Sequence, residues 1–260
     1  MKVLAFFGRA ATAVALPLLL LALWYWATRG DPSLYFPPPG DVAVAFRENW
    51  LFAEVGTHVV PSLTRLVLGF ALAVTVGVAV GVPIGLSPLA RRGVSPYLAF
   101  LRSMPGSALV LIFLAIFGAG TTGKVLTIAF VAVFPTLLNT IDGVRSLEPT
   151  LRDVSTSYRL TRAQHIRSVV LPAALPQIFV GIRTSMALAF IVMVVAEYQA
   201  GTNGIGYFTR DQSAAYRFDD MWSGMVLLGI LGLIFNGAVT LAQRHFLRWY
   251  AGSRARSNAA

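Results

Sequence analysis

The chain has 260 residues, of which 56% are hydrophobic and only 12% charged, about half the charged share of a soluble domain. A soluble core of that size would need far more polar cover, and the apolar residues come in long runs, so the composition points to an integral membrane protein. The net charge of +10 arises from 21 Lys+Arg against 11 Asp+Glu; the cations sit between the apolar runs, which makes topology their better explanation and leaves no nucleic-acid partner expected. There is no cysteine, which excludes disulfides, thiolate metal sites and a cysteine nucleophile. His58, His165 and His245 are scattered without HExxH spacing, so no metal site is expected.

Crossing a hydrocarbon layer of ~30 Å takes about 20 helical residues. The first apolar run, 10–28, follows Lys2 and Arg9 and ends in Trp24-Tyr25-Trp26. It is long and lacks a small-x-small cleavage site, so it reads as a retained span with an interfacial aromatic belt. Residues 30–61 form an outer segment in which Pro37-Pro38-Pro39-Gly40 breaks any helix; the mixed stretch 41–50 suits a short helix on the membrane surface. Span 2 is expected at 62–86. Its Gly77, Gly81 and Gly85 recur every four residues with Ala73 in phase, which predicts close approach of another helix. A polar break at 87–95, with Arg91 and Arg92, leads to span 3 at 103–117. A tight turn, 118–124, then leads to span 4 at 125–141. Both spans are short and contain a proline, Pro105 or Pro135, so broken or tilted helices are expected. Span 5 is placed at 173–196, a polar loop at 197–220, span 6 at 221–241, and the tail is Arg-rich. The fold class is therefore all-α, a single transmembrane domain over 1–260 with six spans.

Six spans put both termini on one side. Lys2, Arg9, Arg91, Arg92, the arginines of 142–172 and the tail arginines share that side, against Arg29, Arg47, Arg65, Lys124, Arg210 and Arg217 on the other. The positive-inside rule then makes both termini cytoplasmic.

Gly118 to Lys124 reads as GxxxxGK, but Val125 stands where a phosphate-binding loop needs Ser or Thr to hold Mg²⁺; a glycine-rich turn between spans explains it better. There is no serine elbow and no carboxylate pair inside a span, so no catalytic residue is expected. Asp142 and Glu197 read as membrane-edge acids, and ionisable groups at depth, which a proton-driven carrier or intramembrane hydrolase would need, are not expected. Arg183 is the deepest charge; it either snorkels to the cytoplasmic surface or faces a polar pathway. Arg65, Arg183 and Glu197 are the candidate pathway or gate residues.

The polar stretch 142–172 is the most informative. Pro149 can open one helix, and Thr161 can cap a second with Gln164 three residues on, as in a capping box. Two short amphipathic helices joined by a tight turn are expected in the cytoplasm, facing either anionic membrane lipid or a soluble protein partner.

This stretch resembles the coupling loop of ABC importer permeases, in which Glu-Ala-Ala is followed by a Gly and closed by Leu-Pro. Asp153 stands at the Glu position, Val154 and Ser155 at the alanines, and Arg159 at the Gly. Leu160, Thr161 and Arg162 follow, and Leu171-Pro172 closes the motif in register. The rest of the chain is similar to the nitrate/sulfonate/taurine branch of these permeases. Matching pieces include Phe36-Pro37-Pro38-Pro39, Ser62-Leu63-Thr64-Arg65, Gly81 to Ser87, Leu101 to Pro105, Phe134-Pro135, Gly181-Ile182-Arg183, Ala196-Glu197 and Gly204 to Tyr207. The resemblance implies a type I ABC importer permease in the bacterial cytoplasmic (inner) membrane. It would be a homodimer with a second permease copy, driven by two cytoplasmic ABC ATPase subunits and fed by a periplasmic or lipid-anchored solute-binding protein. It implies no cofactor on this chain, with ATP and Mg²⁺ on the partner ATPase, and a small organic or inorganic anion as solute. An autonomous secondary carrier or channel, and an intramembrane enzyme, are the alternatives. At Arg159 the left-handed conformation that glycine adopts freely would cost about 1–2 kcal/mol.

Overall fold

A computed structural model describes residues 2–30 and 33–249. Among the described residues the regular structure is helical, apart from one isolated bridge between Ser33 and Phe36. Each expected apolar span lies on a helix: α1 (Lys2–Thr28), α3 (Val60–Leu86), α5 (Gly106–Phe117), α6 (Thr121–Arg145), α9 (Leu171–Ala200) and α11 (Phe218–Phe246). The short elements are α2 (Pro39–Glu48), α4 (Pro88–Ser103), α7 (Pro149–Ser157), α8 (Arg162–His165) and α10 (Ile205–Ala214).

Among the described residues four continuous helices are long and apolar enough to cross a membrane, Val55–Leu86, Thr121–Arg145, Arg162–Ala200 and Phe218–Phe246, with shorter apolar stretches at Ala15–Thr28 and Ala108–Phe117. Half of the apolar window of α6 is buried, against 6% of that of α11. The first is therefore central and the second peripheral. Around α6 gather α3, α5 and α9, sharing a core of Leu66, Val110, Ile128, Ala132, Ala189 and Met193.

The expected glycine face of α3 meets α6. A Cβ on Gly77, Gly81 or Gly85 would stand 2.7–2.9 Å from the Cβ of Thr136, Thr140 or Val144, and one on Gly69 would strike Ile128. The partners advance in step along both helices, so α3 and α6 run parallel, backbone nearly against backbone. Small side chains are what permit that approach where no hydrophobic effect drives helices together.

Several boundaries differ from expectation. The polar break at 87–95 is helical: the Ser87 side chain accepts the Ala90 amide and Pro88 occupies the first turn, so α4 starts where a loop was expected. Span 3 starts later, at Gly106, because Pro105 caps rather than continues it. Span 4 is 25 residues, well beyond the expected 125–141, and Pro135 does not end it. There the Ser185 hydroxyl of α9 accepts the Thr136 N–H at 3.1 Å and donates to Ala132 O at 2.6 Å, bridging the backbone beside the proline. The polar segment 197–220 contains α10, whose Phe208 packs on Trp50. The mixed stretch 41–50 forms α2, and Asn49 and Trp50 just after it bond to Asp220 and Ser223 of α11. The aromatic end of α1 is also tied in: Trp24 donates to Pro37 O at 3.0 Å and stacks near Phe36 and Trp222.

Candidate functional site

The 142–172 loop projects from one end of the bundle. Glu148 precedes Pro149 at the first turn of α7, which runs to Ser157. The helix then ends in a Schellman turn: Leu160 N donates to Ser155 O at 3.1 Å and Arg159 N to Thr156 O at 3.0 Å. Arg159 is the left-handed residue, with φ +51°. It thus keeps the conformation that the resemblance assigns to glycine. Thr161 then caps α8: its N–H donates to Gln164 Oε1 at 2.9 Å and its hydroxyl receives the Gln164 amide, a complete capping box. From α8 the backbone continues helically through 166–170 into α9 without interruption, so Leu171 and Pro172 lie inside one continuous helix. Leu151, Val154 and Tyr158 form an exposed apolar stripe on α7, Tyr158 being 77% exposed. Asp153, Arg159 and Arg162 are exposed around it, Leu160 is half-buried and Ser155 is buried.

At the opposite end of the bundle lies a second cluster. Arg65 near the start of α3 and Glu197 near the end of α9 are buried to 3% and 0% exposure and form an ion pair at 2.7 Å. The Glu197 carboxylate also accepts the Ser62 hydroxyl at 2.7 and 2.9 Å and the Gly206 N–H of the α10 N-terminus at 3.2 Å. Arg65 reaches on to the Asn203 carbonyl at 3.2 Å and to the Asn203 side chain. Ser62 accepts the Ile205 amide at 2.9 Å, and His58 Nδ1 accepts the Gly204 amide at 3.1 Å. Gly204 has φ +112°, and a Cβ there would strike the Glu197 carboxylate. The loop 201–206 therefore closes over the acid, and only glycine fits where it does so. Lys124, one turn into α6, is 1% exposed and within electrostatic reach of both Arg65 and Glu197.

Glu197 lies near the end of α9, as a membrane-edge acid does, but it is fully buried and accepts hydrogen bonds from three donors, Ser62, Arg65 and Gly206. Arg183, near the middle of α9, lies further from either helix end than Arg65, Lys124 or Glu197; its side chain is exposed and donates to Asn236 Oδ1 of α11 at 3.3 Å. Sequence reasoning singled out Arg65 and Glu197 separately but missed their pairing, and passed over Lys124 as part of a phosphate-loop near miss. Two signals were present. Gly201, Gly204 and Gly206 follow Glu197 closely, and three charges interrupt the ends of otherwise apolar runs.

Two clefts, largely apolar but carrying several polar side chains, lie along the part of α6 nearer the loop. One cleft is bordered by Met104, Leu109, Phe134, Asn139, Asp142 and Thr184, and a second by Arg91, Ser95, Asp142 and Arg145. They share Leu138 and Asp142 among their lining residues and mark a grooved side of α6 toward the loop end. Gln177 of α9 donates to Asn139 Oδ1 at 2.8 Å beside it.

Several helices long and apolar enough to cross a membrane, with a short helix pair at one end, define a membrane protein, and its similarity to known proteins specifies the kind. The chain belongs to the family described as the binding-protein-dependent transport system inner membrane component, whose model matches residues 57–252. It is 30% identical over 241 residues to the taurine transport system permease protein TauC of Escherichia coli, covering 90% of this chain and 88% of that one. It is 31% identical over 237 residues to the nitrate import permease protein NrtB of a Synechocystis species, covering 88% and 85%. Over 190 residues it is 33% identical to the bicarbonate transport system permease protein CmpB of Synechococcus elongatus, covering 73% and 68%. A chain of the inward-facing methionine ABC transporter MetNI shares the fold, with TM-score 0.60, 19% identity and coverage of 73% and 94%. The protein is thus a multi-pass permease subunit of an ABC importer in the inner membrane. It works with an ATPase and a solute-binding protein, and ATP hydrolysis belongs to the separate ATPase subunit.

Proposed function

We propose that this permease imports a small oxyanion, of the class of the sulfonates, nitrate and bicarbonate named for its relatives, through a pathway completed by a second copy of the chain. Both termini face the cytoplasm, so the 142–172 loop lies inside and the Arg65–Glu197 cluster at the outer mouth. The domain occupies the whole chain. Two ABC ATPases, holding ATP and Mg²⁺, bind the two loops, and a periplasmic or lipid-anchored binding protein delivers the solute outside.

The observation that carries the reading is the exposed stripe of Leu151, Val154 and Tyr158 along α7 and the turn that ends it. Large apolar side chains on a helix projecting beyond the bundle call for a protein surface to cover them. Asp153, Arg159, Thr161 and Arg162 supply a polar rim.

The same helix offers a route for coupling. Arg162–Ala200 is one helix of 39 residues, about 58 Å long, with the docking loop at one end and Glu197 at the other. When ATP closes the ATPase pair, the loops move with it, and a shift of this helix strains the Glu197 contacts with Arg65, Ser62 and Gly206. Arg65 and Glu197 thereby act as an outer latch. The groove along α6, with Asn139, Thr184 and Asp142, is the solute path, and Arg183 stands at its flank. Exposed polar side chains on apolar spans are costly in lipid and suit a wet pathway.

The reading is tested by purifying the tagged chain co-expressed with its ATPase. Wild type brings the ATPase down in equal amount; Val154→Asp with Tyr158→Asp loses it while the permease still elutes as a folded species. Retention of the ATPase by that double variant would place docking elsewhere.

A further inference from the structure

The Arg65–Glu197 cluster brings together two buried basic side chains and one buried acid. Arg65 and Lys124 bring two cations, and Glu197 is the one acid paired with either of them among the described residues. That carboxylate is already committed to Arg65, to Ser62 and to the Gly206 N–H, the last at the positive end of α10. Lys124 makes no ion pair among the described residues although it is 1% exposed. Arg65 Nε is also buried without an acceptor. The first turn of α6 adds the positive end of its own dipole beside Lys124. Buried charges are paired or they shift the local equilibrium against folding, and a buried donor with no acceptor marks a missing partner.

We propose that Arg65 and Lys124 together bind one monovalent anion at the mouth of the bundle, held by the Arg65 Nε–H and the Lys124 ammonium. The Thr121 hydroxyl, which lies 3.5 Å from the second Arg65 nitrogen, is placed to donate as well. Thr121 and Thr122 are exposed at the bundle end, at the start of α6. The site complements the Arg65–Glu197 latch without replacing it: Glu197 holds one face of the guanidinium and the anion takes the other. A halide and a monovalent oxyanion share the required chemistry, a single negative charge with lone pairs accessible from one side. The proposal concerns binding alone and does not depend on whether the chain transports that anion.

The test uses the full chain in lipid nanodiscs, with its thermal unfolding followed as chloride, nitrate or a sulfonate replaces gluconate at constant ionic strength. Wild type shows a saturable rise in Tm of about 4 °C. Lys124→Arg keeps the response. Lys124→Met loses it and starts from a higher Tm in gluconate, because the uncompensated charge is gone. A response to chloride identifies a resident halide; a response to nitrate or the sulfonate without chloride identifies the solute class. A flat profile in wild type, or the same rise in Lys124→Met as in wild type, overturns the proposal. Where chloride raises Tm, crystals soaked in bromide give an independent reading: an anomalous peak within hydrogen-bonding distance of Arg65 Nε and Lys124 supports the proposal, and no peak there at a halide concentration that saturates the Tm response overturns it.

Discussion

Arg159 and Glu197 show how single residues hold the two ends of the molecule. Arg159 accepts a left-handed backbone because the turn around it is fixed by two hydrogen bonds before it and a capping box after it. Arg159→Gly relieves strain of about 1 kcal/mol, and ATPase docking persists or improves, as pull-down with an ATPase from a related importer would measure; loss of assembly would contradict this account. At the other end, Glu197 sits in a site with no solvent. Glu197→Gln leaves Arg65 uncompensated and costs about 3–5 kcal/mol, read as a fall in Tm of the purified permease. Replacing Arg65 and Glu197 together by Met recovers most of that stability, since the desolvation of both charges disappears. The same double variant removes the latch, so stability and gating separate: transport becomes leaky while the fold persists.

Among the elements, the α3–α6 contact is the most exacting. Its glycines at 69, 77, 81 and 85 each oppose a side chain at less than 3.0 Å from where a Cβ would be. Gly81→Ile therefore forces the helices apart and lowers stability by about 1–3 kcal/mol or more, visible as a reduced Tm. Gly93 in α4 has open space around it, and Gly93→Ala raises stability by up to about 1 kcal/mol. This ladder was legible because i, i+4 spacing is a local pattern. The coupling loop was legible for the same reason, since Pro149, Thr161 and Gln164 signal helix starts within a few residues of themselves. What was not legible depends on distant partners. Nothing near Ser87 distinguishes a capped helix from a polar break until Ala90 donates to it, and Pro135 ends no helix because Ser185 of α9, far along the chain, supplies the bridging hydroxyl. Glu197 and Arg65 likewise meet only through the fold, being 132 positions apart.

At the scale of the whole molecule, a helix of 39 residues joins the loop that carries α7 to the buried Arg65–Glu197 pair, and two clefts lie along the part of α6 nearer that loop. The peripheral α1 and α11 keep leucines exposed, Leu233 at 74%, as lipid-facing helices do. In the proposed mechanism these features make one device: energy enters at α7, travels along α9, and opens a path for solute beside α6. The most direct measurement is solute uptake into vesicles holding the permease with its ATPase, with ATP inside and the loaded binding protein outside. The account predicts uptake of the anion that requires ATP, the ATPase and the binding protein together, and that falls to background when Val154 and Tyr158 are both replaced by Asp. Uptake by the permease alone, without ATP or the ATPase, would contradict it and make the chain an autonomous carrier or channel.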